Sequence, residues 1–480
     1  MKKALIIVLS LLLVCCCVLS ACKGSDTGSE TASAEPTSAA SEAPSSTPGD
    51  SGHAVSSAFT GDTSFDPETD ADNLYSTESA ILSDAEGGFY WSSSLCPYLL
   101  FYDYGLDEAI PVCSRPECEH FTDNNAFQQN LDCDAYIGAV RHPALYNGKI
   151  YYVDRKGDPN PNVDGSLLGM KLFCMNPDGT EKQFIKNLFT PGYGSPQWVI
   201  LHRGNLYAMS VESDVVDGVA SGKTSILVVP LEGDETNFKT IYEIENVGWG
   251  CMRFIGDYCC FWIRYDEGYY YINYDTGEII DERQSGGVAG RWNSKTEELE
   301  ILYHDLLPES EDFYACAWVE TDGTFYVTGS RGLMKIENGR LSVVQSFEDP
   351  EKRFVPSNIS NGIAIAHTVP ADLNDPYLDW DFWICRFDGT TVFKGTLPMD
   401  WYRESPEFDS LPGDPGFPTI SMIAGDDTGI WCQFIAHWRG TGENDAQAEF
   451  LVRYDFTDDG IQTKLYSSFV LMYDPASIPY

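Results

Sequence analysis

From about residue 80 onward the chain alternates short apolar or aromatic runs with polar turns rich in Gly, Asn and Asp. Runs of ~4–8 residues with this character predict half-buried strands. One module recurs: an apolar strand, a turn containing Gly, then an aromatic strand. Its copies turn at or beside Gly88, Gly148, Gly204, Gly256, Gly323, Gly362 and Gly429. Asn147-Gly148, Asp322-Gly323 and Asn361-Gly362 supply the positive φ angles that tight hairpins require. A second module follows each copy, an apolar run ending in Asp, Asn or Glu close to Gly. It occupies 99–105, 172–180, 226–233, 269–277, 333–339, 382–390 and 451–460. The region 283–312 follows neither module.

Two hairpins per unit make four strands, and a four-stranded sheet with two apolar faces is not stable alone. Stacking such sheets radially leaves only short, protected edges. The expected fold is therefore all-β, a β-propeller of seven four-stranded blades spanning 76–480. A β-sandwich would not demand a repeated four-strand unit. A two-lobed solute-binding fold would need long 3.6-residue stripes, and the sequence contains none longer than a couple of turns.

The N-terminal 75 residues are of another kind. Lys2 and Lys3 precede an apolar run from Ala4 to Val14, then small residues and Cys22. A positive end, a short apolar core and small residues form an export signal, too short for a lasting membrane helix. Leu19-Ser20-Ala21-Cys22 resembles the lipobox of bacterial lipoproteins. The resemblance implies a signal peptide over 1–21, acylation of the Cys22 thiol, and anchorage to the outer face of the cytoplasmic membrane. Residues 23–57 are mostly Ser, Thr, Ala, Glu, Gly and Pro, which cannot bury enough apolar surface to order a chain. The acidic stretch 59–75 lacks the spacing of a calcium loop. Residues 22–75 thus read as a lipidated cysteine followed by a disordered spacer.

The formal charge is −43, and residues 23–79 contribute only eleven acids against one base. Most of the negative charge therefore belongs to the blades. Such a surface repels phosphate backbones and excludes nucleic acid as a partner. It accommodates basic peptides and neutral glycans.

Candidate chemistry concentrates after the first blade, in Cys113-Ser114-Arg115-Pro116-Glu117-Cys118-Glu119-His120 and Cys133. Three thiols with one imidazole suit tetrahedral zinc in a structural role. Exported cysteines also pair, so a disulfide between Cys113 or Cys118 and Cys133 is the alternative. Either would tie down a long loop. The Cys-x4-Cys-x-His…Cys loop behind a lipobox and a Ser/Thr-rich spacer resembles the uncharacterised β-propeller lipoproteins of anaerobic Gram-positive bacteria. That resemblance implies architecture and placement, and no reaction. The eight remaining cysteines beyond the signal fall largely in strand patterns and read as small buried apolar residues.

Trp380, Trp383, Trp401 and Tyr402 lie beside acids on long loops of blade six and are the candidate ligand-binding aromatics. No histidine sits in a nucleophile elbow or a two-histidine metal motif, and no carboxylate pair stands out among 73 acids. The expected role is a non-enzymatic binding or scaffold propeller at the cell surface. Two alternatives are an extracellular glycan hydrolase or lyase with axial carboxylates, and a structural subunit of an envelope assembly.

Overall fold

The structure is a computed structural model that describes residues 58–73, 83–92, 96–120, 130, 132–137, 143–154, 170–190, 195–216, 219–268, 270–273, 278–308, 311–368, 380–403, 414–415, 419–439, 445–457 and 460–473. The expected signal peptide, Cys22 and the expected spacer up to residue 57 lie outside them. The described chain forms seven antiparallel sheets, each with at least four strands joined in chain order. The first blade is Ser83–Ala85, Gly88–Ser92, Leu99–Asp103 and Glu108–Pro111; the second is Ala144–Tyr146, Lys149–Asp154, Met170–Met175 and Gln183–Leu188. The third is Ser195–His202, Asn205–Val216, Val219–Pro230 and Lys239–Ile244; the fourth is Gly248–Ile255, Tyr258–Glu267, Gln284–Asn293 and Leu299–Leu306. Phe313–Val319, Phe325–Gly329, Gly332–Glu337 and Arg340–Gln345 make the fifth, and Phe354–Ser360, Ile363–Thr368, Asp381–Arg386 and Thr391–Thr396 the sixth. The seventh is Thr419–Asp426, Gly429–Arg439, Asp445–Thr457 and Gly460–Tyr473, with Asp414–Pro415 added beside its second strand.

This is the seven-bladed propeller that the repeat implies. Seven apolar clusters fill the seams, one between each pair of neighbouring blades. Each blade is therefore cored by its neighbours and not by itself, the physical reason for a closed ring. First strands lie innermost and are largely buried, as in blade 4, whereas fourth strands alternate outward to solvent, as in blade 6. Blades 1 and 7 are each built from a continuous stretch of chain, so side chains close the ring. Phe89 meets Trp431 and Tyr466 edge-on or tilted, and Lys464 reaches Asp107 at 2.6 Å while lying over Tyr102 and Tyr466.

One hairpin departs from expectation. Residues 269–277 do not form the outer half of blade 4. Tyr270–Asn273 and Glu278–Asp281 pair with each other as an inserted hairpin that joins blade 3 through Tyr271 opposite Val219. The outer half of blade 4 lies in 284–306, the region without either module. Its third strand carries Gly286, Gly287 and Gly290, each of which leaves room for a bulky partner. A Cβ would meet Tyr265 at 2.3 Å, Trp262 at 2.2 Å and Phe261 at 2.3 Å respectively. Glycine lowers strand propensity, so a pattern that rewards aromatic residues passes over this strand.

The spacer boundary expected at 75/76 is corrected over 58–73, which is a packed strap and not disordered. It crosses the first turns of blades 4, 3 and 2. Gly61 N–H donates to Tyr258 Oη at 2.8 Å, Ala71 N–H to His202 Nδ1 at 3.0 Å, and Asn147 N–H to Glu68 O at 2.8 Å. At its centre Arg203 contacts Asp62, Asp70 and Asp257 at 2.6–2.9 Å. Arg203 occupies a positive φ of 44°. That conformation costs a side chain of this kind about 1 kcal/mol or more, and the three carboxylates offset it. No helix among the described residues is long and apolar enough to cross a membrane.

Candidate metal centre

The loop after blade 1 is built by turns that the sequence specifies. Pro116 occupies the second position of a turn closed by Cys118 N–H donating to Arg115 O at 3.1 Å, the position that proline favours. Cys133 N–H donates to Asn130 O at 3.1 Å, and Asn130 N–H in turn donates to Tyr98 Oη at 2.8 Å. Tyr98 bridges Tyr136, and Leu99 N–H donates to Ala135 O, so the end of the loop pairs with the blade.

These turns bring Cys113, Cys118, His120 and Cys133 together, with their ligand atoms all within 4.8 Å of one another. His120 Nδ1 stands 3.3 Å from Cys133 Sγ. Zinc bonds of ~2.0–2.3 Å place tetrahedral ligands ~3.5–3.8 Å apart. The four groups thus need only a small inward movement to hold the ion. None of the eleven described cysteines forms a disulfide, and the four groups form a cluster that could hold a metal ion such as zinc. Seven of the other eight are buried, as their strand positions imply, and Cys316 is partly buried.

The electrostatics divide the four groups. Burial pushes the Cys133 thiol up to about 12 and also raises Cys118. Cys113 is lowered despite partial burial, because the Arg115 and Asp134 N–H groups point at its sulfur. Burial, then the Arg115 charge, lowers His120, the direction that favours the neutral imidazole ligation requires. Three thiolates and a neutral imidazole around Zn²⁺ carry a net −1. Arg115 Nη2, 3.9 Å from Cys118 Sγ, and Asn130 Nδ2, 3.5 Å from the same sulfur, would answer that charge in a filled site. Asp134 holds Arg115 at 3.5 Å and accepts from Ser114 Oγ at 2.8 Å. Sequence reasoning did not assign roles to Arg115, Asn130 or Asp134; their one signal is proximity to the ligands in the chain.

The loop sits where three blades meet. Cys133 and Ala135 pack with Ala424 and Leu451 of blade 7, and Val112 and Ile137 pack with Ile150 and Tyr152 of blade 2. Gly179 of blade 2 lies so close that a Cβ would stand 2.4 Å from Val112 O. A filled site would therefore clasp the seams on both sides of blade 1.

The aromatic candidates do not form a platform. Trp380 is 5 % exposed and Tyr402 1 %, both within the seam between blades 6 and 7. Trp401, on the short helix Asp400–Arg403, packs on Phe434 and Phe450 and donates to Tyr454 Oη at 2.9 Å. Trp383 is partly buried in the seam between blades 5 and 6, and Lys394 lies over its ring at 3.5 Å. The physical reason is the ring itself, since each seam between blades needs bulky side chains to fill it.

No protein-family model and no curated protein matches the sequence. Among solved structures the chain is similar to a polysaccharide lyase of family PL25, an ulvan lyase, at 11 % identity and a TM-score of 0.42, covering 83 % of this chain and 97 % of that one. It is also similar to the acylaminoacyl peptidase of Pyrococcus horikoshii, at 11 % identity and a TM-score of 0.40, covering 83 % of this chain and 54 % of that one. A third likeness is AztD from Citrobacter koseri, at 9 % identity and a TM-score of 0.29, covering 66 % and 86 %. Likenesses of this depth carry no information about ligand or reaction.

Proposed function

We propose that this protein is a lipid-anchored surface propeller that binds or scaffolds a glycan or peptide without transforming it, its ring clasped by structural zinc. The single observation behind the reading is the convergence of Cys113, Cys118, His120 and Cys133 at the seams flanking blade 1. Four protein ligands complete a tetrahedron and leave no position for substrate or activated water, as structural sites do. Zinc there would supply folding energy to blade 1, whose four strands are only three to five residues long. The anchor rests on the resemblance of Leu19-Ser20-Ala21-Cys22 to a lipobox, which supports a lipid on the Cys22 sulfur and placement at the outer face of the cytoplasmic membrane.

A glycan and peptide array probed with residues 58–480, followed by product analysis on each hit, tests the binding role. Binding without product supports it. Product formation overturns it in favour of a hydrolase or lyase. Capture of a stoichiometric envelope partner, with no array hit, overturns it in favour of a subunit of an assembly. Mass analysis of the mature N-terminus tests the anchor, expecting an acylated Cys22.

A further inference from the structure

Three arginines of the ring lie largely out of solvent, and carboxylates neutralise two of them. Arg203 has Asp62, Asp70 and Asp257. Arg291 has Glu300 at 2.7 Å and lies over the rings of Phe59 and Tyr258. Arg253 is the exception. It is 5 % exposed, and its Nη1 reaches only the carbonyl of Met252, at 3.4 Å. Its Nε is buried without an acceptor. Among the described residues no carboxylate pairs with it, in a chain with 73 acids and 30 lysines and arginines.

Its position is at a seam between blades. Arg253 lies on the innermost strand of blade 4, Gly248–Ile255, between Cys251 and Ile255, which both pack against blade 5. Its guanidinium stands 5.5 Å from the ring of Trp318, on the innermost strand of blade 5. At that distance the indole can back the cation.

A guanidinium stays charged at any accessible pH and offers five donors in a rigid fork. Burying it with those donors unmet costs free energy that a bound anion recovers. We propose that Arg253, backed by Trp318, seats one carboxylate group of a ligand entering at the seam between the innermost strands of blades 4 and 5. A carboxylate matches the fork with two coplanar oxygens. As a monoanion it is also repelled less than a phosphate dianion by a chain of this charge. This inference rests on the binding role proposed above and names the chemistry of its ligand: a sugar acid, or a peptide carboxylate.

Thermal unfolding of the folded protein tests it, with sodium glucuronate and N-acetylglycine as probes. Glucose, N-acetylglycinamide and matched sodium chloride are the controls. Both carboxylates should raise Tm in a saturable manner, and the controls should not. Arg253→Met should abolish that response while leaving the Tm without probe unchanged or higher, because it removes a buried unpaired charge. Arg253→Lys, which keeps the charge and loses the fork, should weaken the response roughly tenfold or more, and it serves where Arg253→Met does not fold. Glucuronate saturating at the lower concentration assigns the ligand to glycans; N-acetylglycine doing so assigns it to peptides. Equal carboxylate shifts in wild type and variants overturn the proposal, as does the absence of any shift in wild type. Cleavage of a glucuronate-containing oligosaccharide would remove the binding-only role and leave the Arg253 seat intact.

Discussion

His202 Nδ1 accepts the Ala71 N–H at 3.0 Å, which fixes the tautomer of an imidazole that is 1 % exposed. Its Nε2 therefore donates to Gly256 O, at 2.7 Å. One neutral ring joins the strap to blades 3 and 4 and has no acceptor position left for a second proton.

That arrangement makes the strap sensitive to acid. Burial holds His202 down to about 4 from an ordinary 6.5, with Asp70, Arg203 and Asp257 as the charged neighbours. As pH falls, the unfolded chain takes the proton first. The stability that neutral His202 supplies is complete above about pH 6.5 and is lost progressively down to about pH 4, with a ceiling of about 3 kcal/mol. Urea midpoints at pH 7 and pH 4.5 should therefore separate more for wild type than for His202→Gln. Equal separations would remove His202 as the sensor.

Arg203→Met should release the strap while sparing the far side of the ring. The change leaves Asp62, Asp70 and Asp257 without their common cation. Because Arg203 is partly exposed, a loss of about 1–3 kcal/mol is expected. Amide exchange should accelerate across 58–73 and stay unchanged in the strands of blades 5 and 6. Uniform acceleration would mean that the strap is integral to the whole ring.

Ring closure should depend on apolar packing far more than on charge. Phe89→Ala empties the centre of the seam between blades 7 and 1 and should cost about 3–5 kcal/mol in chemical denaturation. Lys464→Met removes the exposed pair with Asp107 and should cost less than about 1 kcal/mol. The reverse order would show that the ion pair, and not the aromatic cluster, closes the ring.

Gly287→Ala should destabilise blade 4 by about 1–3 kcal/mol, since the new methyl meets Trp262 at 2.2 Å and Phe313 at 2.9 Å. Trp262→Leu in the same chain should recover part of that loss, a coupling that a double-mutant cycle reads directly. Additive costs would mean the two residues do not share the space.

The hairpin pattern carried the fold because Asn-Gly and Asp-Gly turns are local devices that a short window can recognise. The ligand set of the metal loop was legible for a similar reason, since four soft or borderline ligands within twenty-one residues have few other uses. Non-local fits were not legible. Gly286, Gly287 and Gly290 make a strand only because Tyr265, Trp262 and Phe261 fill the space above them. Residues 58–73 look like spacer until Arg203 and His202 meet them, and those partners lie more than 130 residues away. Trp380 and Tyr402 look like surface aromatics because the sequence does not show which side of a blade faces its neighbour.

The most direct measurement is the zinc content of folded protein prepared without chelator, paired with a disulfide map of Cys113, Cys118 and Cys133. About one equivalent of zinc per chain is expected, with no bridge among the three thiols and loss of the metal in His120→Ala with Cys133→Ser. Less than about half an equivalent, with Cys133 bridged to Cys113 or Cys118, would contradict it.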